Sequence, residues 1–203
     1  LIGEKKADKT LEFINSSEDN EKVYDKISRN LFVTITNANF DTEAIFKIVK
    51  ETIKMKDELL EKIDDKEGLS DFALYSSMDD SELERKAIEV GVLNTVNEDE
   101  RSLTELTTYG LKGMAAYNHH ANVLGYRDPE VDKFIAKALE ETTKADKEIP
   151  NLIDLVMATG EHGVKAMALL DKANTTSYGN PEITEVDYSA GNKPGILISG
   201  HDL

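Results

Sequence analysis

The sequence predicts a mainly α protein with two three-helix-bundle-like units, the first one truncated, ending in the first strand of an α/β (Rossmann-like) domain. Apolar residues recur every three or four positions over much of the chain, which is typical of amphipathic helices. A weak internal repeat relates the two halves. The closing stretch GILISGHDL carries an unbroken apolar run that suits a strand buried on both faces. The predicted boundaries are 1–66 for the truncated first bundle, 67–96 for a connector with a short helix, 97–176 for the second bundle, and 177–203 for the loop and first strand.

The first unit contains a predicted helix that begins after Asp41. Asp41 suits the N-cap position because its carboxylate can accept a hydrogen bond from a first-turn N–H group. Gly68 is expected to end this helical stretch. The apolar positions of the helix are Ile45, Ile48, Val49, Ile53, Leu59, Leu60 and Ile63.

Two capping patterns predict the next two helices. Ser81 with Glu84 has the spacing of a capping box, and Gly91 is placed to end the short helix that follows. Asn97 with Glu100 repeats the pattern ahead of a longer helix, which Gly125 is expected to stop.

Prolines mark the start of the last two predicted helices. Asp128 and Pro129 form a cap followed by proline in the first turn, and Pro150 is expected to open the final helix. After Ala173 the chain reads NTTSYGNPEIT, and its glycine, asparagine and proline favour turns. The sequence therefore predicts that the last helix ends near Ala173.

The internal repeat has an offset of 107 to 108 residues. Leu31 matches Leu139 at an offset of 108, and Ile45 matches Leu152 at an offset of 107. Two unrelated amphipathic helices would explain any single pair, but several pairs in register favour two similar bundles. Since a helix precedes the matched region only in the second copy, we expect the first copy, and the chain, to be truncated.

Composition excludes several classes of function. The formal net charge is −16, so nucleic-acid phosphates and anionic lipid surfaces would be repelled. No apolar run is long enough to span a bilayer, and the chain has no cysteine for a disulfide or an iron–sulfur thiolate. We expect a soluble, cytoplasmic protein without nucleic-acid or membrane partners.

The histidines differ in what their positions indicate. His119 and His120 are adjacent on a predicted helix, so their side chains diverge by about 100° and are not spaced to share a metal ion. His162 lacks the Glu-x-x-His pattern of di-iron bundles. His201 follows the predicted strand, where ligands bind in open α/β sheets. A helix-capping role for His201 or Asp202 explains that position equally well.

Long segments resemble one family. AMALLDKANTTSYGNPEIT at 166–184 and NKPGILISGHDL at 192–203 closely resemble the hybrid cluster proteins, also called prismane proteins or hydroxylamine reductases. LFVTITNANFD at 31–41 and the segment at 103–135 look like the helical region of the same family. The likeness covers most of the chain in the family's order, and such long irregular segments are more specific than a short motif.

The resemblance implies an iron–sulfur oxidoreductase that reduces hydroxylamine, or a related nitrogen oxide such as nitric oxide, to ammonia and water. Family members carry a 4Fe-4S cluster and a hybrid 4Fe-2O-2S cluster, and they receive electrons from a donor protein. By motif match, His201 is a cofactor-binding and metal ligand of the hybrid cluster; no catalytic residue is assigned. The family's cluster cysteines are missing here, so this fragment is expected to bind no cluster and to be inactive alone.

A different class of function also fits the sequence. The chain could be a non-catalytic helical scaffold that packs over the cluster domain, or a docking module for the electron donor, with its acidic surface as the docking face. The loops at 34–39 and 173–180, which contain Asn37 and Asn174, could reach toward the cluster pocket. Capping and turn formation explain these loop residues equally well.

Overall fold

A computed structural model describes residues 20–64, 66–67, 69–144, 147–189 and 191–199. The regular elements in these ranges are seven α-helices and two short 3-10 helices, so the predicted mainly α fold is confirmed. The α-helices are α1 (Asn20–Val33), α2 (Thr42–Glu61), α3 (Asp71–Leu74), α4 (Asp80–Glu89), α5 (Glu98–Val123), α6 (Pro129–Glu141) and α7 (Ile149–Tyr178). The 3-10 helices are Asn37–Phe40 and Val92–Asn94.

Side-chain caps define where the main helices begin. Asp41 accepts a hydrogen bond from the Ala44 backbone N–H at the start of α2, over 3.0 Å. The Asn97 side chain accepts hydrogen bonds from two first-turn N–H groups of α5. Asp128, directly before Pro129, accepts a hydrogen bond from the Glu130 N–H in the first turn of α6. Each bond satisfies an N–H group that has no partner within its own helix, so these three predicted caps are confirmed.

Gly125 ends α5 as predicted. Its backbone φ is 82°, a left-handed conformation that glycine adopts without the penalty a side chain would bring. The Gly125 N–H donates to the Asn122 carbonyl, and the Tyr126 N–H donates to the Ala121 carbonyl. These two bonds form a Schellman motif, which turns the chain sharply toward α6.

Three predicted helix ends were wrong. The N-cap of α4 is Asp79, two residues before the predicted Ser81. The Asp79 carboxylate accepts a hydrogen bond from the Glu82 backbone N–H. Helix α2 ends at Glu61, before Gly68, which lies outside the described residues.

The predicted end of the last helix was also wrong. Helix α7 continues past Ala173 to Tyr178, because serine and threonine tolerate a helix and the Thr175 hydroxyl donates back to the Asp171 carbonyl over 2.8 Å. Gly179, at φ 85°, then ends the helix. The predicted boundary at residue 176 therefore lies within a helix.

The core forms where α1, α5, α6 and α7 meet. Helix α5 packs most extensively against α7 and also contacts α1 and α6, while α1 packs on both α5 and α6. Helix α1, predicted as part of the first unit, therefore packs on helices predicted for the second. The buried core residues are Leu31, Leu111, Met114, Ala115, Val131, Ile135, Ala138 and Ala166.

The helix bounds follow the offset of the internal repeat. Adding 108 to the end of α1 at Val33 gives Glu141, the end of α6. Adding 107 to the start of α2 at Thr42 gives Ile149, the start of α7. The hydroxyls of Thr34 and Thr142, which also match, each donate over 2.6 Å to the carbonyl three residues earlier. The arrangement into two bundles remains a prediction, but the matched helix ends favour it.

Helices α5 and α7 approach each other closely at Gly110. A Cβ atom at this position would lie 2.6 Å from Cγ2 of Thr159, which is buried on α7. The Thr159 hydroxyl donates to the Leu155 carbonyl over 2.8 Å, so this β-branched side chain is not free to rotate away. The absence of a side chain at Gly110 sets the spacing of these two helices.

Replacing Gly110 with alanine is expected to destabilise the fold by about 1–3 kcal/mol, since overpacking forces the two helices apart. Gly113→Ala is the matched control, because no atom lies within 4 Å of its added Cβ and alanine favours helix. Urea unfolding followed by circular dichroism measures both variants. Thr159→Ser, which removes Cγ2, should restore stability to the Gly110→Ala protein. Equal stability of the two alanine variants would contradict this account of the packing.

Candidate functional site

The predicted metal ligand, His201, lies outside the described residues. The residues that lead to it, 191–199, form neither helix nor strand, and their side chains are exposed. Ile196 and Leu197 of the predicted strand are 90% and 95% exposed. The strand is therefore not seen in the described part of the chain, and it stays a prediction together with the role of His201.

Three threonines of the two polar loops hydrogen-bond to helix carbonyls. Thr34 and Thr36 donate to the last turn of α1, over 2.6 Å and 2.9 Å, while Thr175 donates within α7. The structure thus favours the capping interpretation for these hydroxyls. Asn37 and Asn174 are exposed, one in the first 3-10 helix and the other near the end of α7. Their predicted roles remain untested.

His119 and His120 both contact Phe32 of α1. The Phe32 ring stacks on His119 with centroids 5.1 Å apart and meets His120 edge-on at 5.3 Å. Burial lowers the pKa of His119, with a smaller contribution from His120 beside it. A neutral imidazole suits such a stack. In this arrangement His119 fastens the end of α1 to α5.

His162 packs in a similar way on α6. Its ring lies parallel to Phe134, with centroids 3.8 Å apart, and Nδ1 lies 2.9 Å from the Ala158 carbonyl oxygen. Its Nε2 is 3.6 Å from a carboxylate oxygen of Glu130, which also pairs with Lys165. Across the described ranges, no group of three or more His, Cys, Asp and Glu residues is arranged to hold a metal ion.

A largely buried polar cluster, which we call the polar junction, joins α1, α5 and α6. It consists of Ser28, Asn118, Asp132, Arg127 and Asp25. The Asn118 side-chain amide, fully buried, donates to the Ser28 hydroxyl over 3.1 Å and to Oδ1 of Asp132 over 2.8 Å. Arg127 donates to Asp25 over 3.0 Å, and its second terminal nitrogen lies 3.6 Å from Oδ2 of Asp132.

The electrostatics of the polar junction are dominated by burial. Asp132 is only 5% exposed, and desolvation raises the pKa of its carboxyl group, while Asn118 and Arg127 lower it. Burial, followed by the charge of Asp132, also raises the pKa of Tyr24. Ser28, Asn118 and Asp132 are buried between the helices, so this part of the junction holds the helices together rather than presenting an acid or base to a substrate.

Sequence analysis did not identify the polar junction. Asn118 lies seven residues after Leu111 and four after Met114, so it is a polar residue on an apolar helix face. Asp132 interrupts the apolar face of α6 next to Val131 in the same way. Polar residues at two core positions of neighbouring helices were the available signal.

Helices α5 and α7 each carry exposed apolar residues. Leu106 and Tyr109 on α5 and Met157 and Val164 on α7 are each more than half exposed. Together with the partly exposed Ile153, Met167 and Tyr117, we call these residues the α5–α7 face. No helix within the described ranges combines the length and apolar character needed to cross a membrane.

Comparison with known proteins identifies relatives. The Prismane/CO dehydrogenase family matches residues 14–203. A hydroxylamine reductase of Bacteroides thetaiotaomicron is 53% identical over 188 residues, which are 93% of this chain and 34% of that protein. A hydroxylamine reductase of Desulfovibrio desulfuricans is 50% identical over 177 residues, covering 87% of this chain and 32% of that protein. The chain thus spans about a third of the length of the curated relatives it matches.

The carboxyl group of Asp132 provides a test of the electrostatics. Its folded pKa lies above the ordinary value of 3.8, so the folded state binds its proton more tightly than the unfolded state. The contribution of Asp132 to stability is therefore greatest below pH 3.8 and is lost as the pH rises through the folded pKa. Asp132→Asn removes this titration but keeps an oxygen that can accept from Asn118.

We expect the free energy of unfolding of Asp132→Asn, relative to wild type, to increase as the pH rises from about 3.5 to 7. Urea unfolding at several pH values measures this difference, and carboxyl NMR of the wild type gives the pKa directly. A difference that decreases over the same range would mean that Arg127 outweighs burial.

Proposed function

The chain belongs to the Prismane/CO dehydrogenase family, and from this premise we propose that it is the helical part of a larger iron–sulfur oxidoreductase. The proposed reaction is the reduction of hydroxylamine, or a related nitrogen oxide such as nitric oxide, to ammonia and water. The observation that carries the proposal is about 50% identity to proteins named hydroxylamine reductase over most of this chain. The proposed setting is the cytoplasm, with a protein as electron donor.

The residues of this chain do not fit an iron–sulfur cluster by themselves. The sequence has no cysteine, and the described residues bring no group of metal ligands together. Thiolates are the ligands that hold iron–sulfur clusters, so they would have to come from outside these 203 residues. We therefore assign the 4Fe-4S and hybrid 4Fe-2O-2S clusters to the larger protein.

His201 is the single residue of this chain that we propose as a ligand of the hybrid cluster. The support is the match of SGHDL to the family's ligand motif, at the end of the predicted strand. An imidazole among thiolates would tune the iron rather than transfer protons. The alternative remains that His201 or Asp202 caps a helix.

A second proposed function, that of a non-catalytic scaffold, is supported by the α5–α7 face. Monomeric soluble proteins rarely leave a continuous apolar surface exposed, and such a surface marks a site of packing against another domain or protein. Exposed Met157 and Tyr109 lie on long helices whose other sides form the core. We propose that this face packs against the cluster-bearing part of the protein and shields it from water.

His201→Ala in the full-length protein is expected to lower both iron content and hydroxylamine reductase activity, the latter by about 10-fold or more. Iron analysis, cluster absorbance and a reductase assay measure the effect. His120→Ala is the control, since His120 contacts Phe32 and is not proposed as a ligand. Unchanged iron and activity in His201→Ala would refute the ligand assignment and leave the family's reaction unaffected.

The purified 203-residue chain tests the scaffold proposal. We expect a colourless protein without iron that unfolds in one cooperative transition, because its core is helical and its ligands for iron are incomplete. Iron analysis and thermal circular dichroism check both points. Reduction of hydroxylamine by this chain alone would show that the account of the missing thiolates is wrong.

A further inference from the structure

The polar junction contains buried polar atoms that no described protein group satisfies. The fully buried Asn118 has an amide oxygen without a hydrogen-bond partner, and one terminal nitrogen of Arg127 is in the same state. Both polar atoms of the Asn122 side chain are buried and unpartnered as well. An unsatisfied buried polar group is costly, and folded proteins rarely keep several of them together.

The helical register places these atoms on one side of α5. Asn122 is one turn after Asn118 and so lies on the same face. The Schellman turn at Gly125 then reverses the chain, which brings Arg127 beside Asp132. The unpartnered atoms of Asn118 and Asn122 therefore lie on the side of α5 that carries the polar junction, and Arg127 follows in the turn.

The ion pair between Arg127 and Asp132 also lacks a direct hydrogen bond. The distance of 3.6 Å between Arg127 Nη1 and Asp132 Oδ2 is too long for a direct hydrogen bond, although the side chain of Asp132 is only 5% exposed. A water molecule beside this pair that bonds to both groups would complete the contact. The guanidinium group of Arg127 thus donates a direct hydrogen bond to Asp25, over 3.0 Å, but not to Asp132.

We propose that the polar junction is a binding site for ordered internal water. The water molecules donate to Asn118 Oδ1, Asn122 Oδ1 and Asp132 Oδ2, and they accept from Arg127 Nη1 and Asn122 Nδ2. A cation would face the Arg127 guanidinium group and an anion would face the Asp132 carboxylate. A small neutral molecule that both donates and accepts hydrogen bonds fits this mixed set of atoms.

This water connects the helices in addition to the direct bonds of Asn118. Its partners lie on α5, on α6 and on the turn between them, and Asn118 bonds in turn to Ser28 of α1. Water bridges are nearly as favourable as direct hydrogen bonds, so the site stabilises the packing of α1 against the other helices. The proposal concerns this chain's own residues and does not depend on the proposed reaction.

Water contacts of the wild-type chain are the first test. Cross-relaxation between water and side-chain amide protons, measured by NMR, should show long-lived water at Asn122. Asn122 is the better probe because no hydroxyl group bonds to it, whereas Asn118 bonds to Ser28, whose proton exchanges with solvent. No long-lived water at Asn122 would overturn the proposal.

Asn122→Leu is the second test, since leucine has nearly the same shape and no polar atoms. If water satisfies the amide, this change should lower the urea midpoint by about 0.5 M, because the partners of the water lose a bond. If the amide is truly unpaired, the midpoint should rise, and the proposal is wrong. Asn151→Leu, at an exposed position on α7, is the control. If Asn122→Leu does not fold, the water measurement decides.

Discussion

The buried amide of Asn118 is the interaction on which the arrangement of the helices depends. Apolar packing holds α1, α5 and α6 together, but it is not directional and would tolerate sliding. The two hydrogen bonds from Asn118 to Ser28 and Asp132 are directional, and in a low-dielectric interior they are costly to break. They select one register of α1 against α5 and α6. Since α1 belongs to the predicted first unit, this register also determines how the two predicted units meet.

A second constraint acts on α5 about two turns before Asn118. Gly110 lets the helix approach Thr159 of α7 so closely that a methyl group would not fit. Close packing there leaves the outer sides of both long helices facing away from the core, where Tyr109, Met157 and Val164 form part of the α5–α7 face. The contact between Gly110 and Thr159 therefore also sets how far apart the exposed apolar residues of the two helices lie.

Sequence patterns predicted the elements better than the contacts. Local signals were sufficient for Asp41, Asn97, Asp128 and Gly125, because caps depend on groups within one turn. They failed at the end of α7, where Gly179 rather than the change in composition stops the helix. The polar junction was missed because Asn118 and Asp132 are 14 residues apart and Ser28 is 90 residues from Asn118. Only the folded chain shows that these three residues meet. The predicted role of His201 stays a prediction, because this residue lies outside the described part of the chain.

The composition of the chain and its packing lead to the same view of its role. A chain of net charge −16 without cysteine has little with which to bind an iron–sulfur cluster, since thiolates are the usual ligands. Several of its buried polar groups bond to one another, and three of its four histidines contact phenylalanine rings. These contacts stabilise the packing of the helices. What such a module would offer the proposed larger enzyme is position: a packed set of helices, with exposed apolar residues on α5 and α7 that we propose pack against a partner domain.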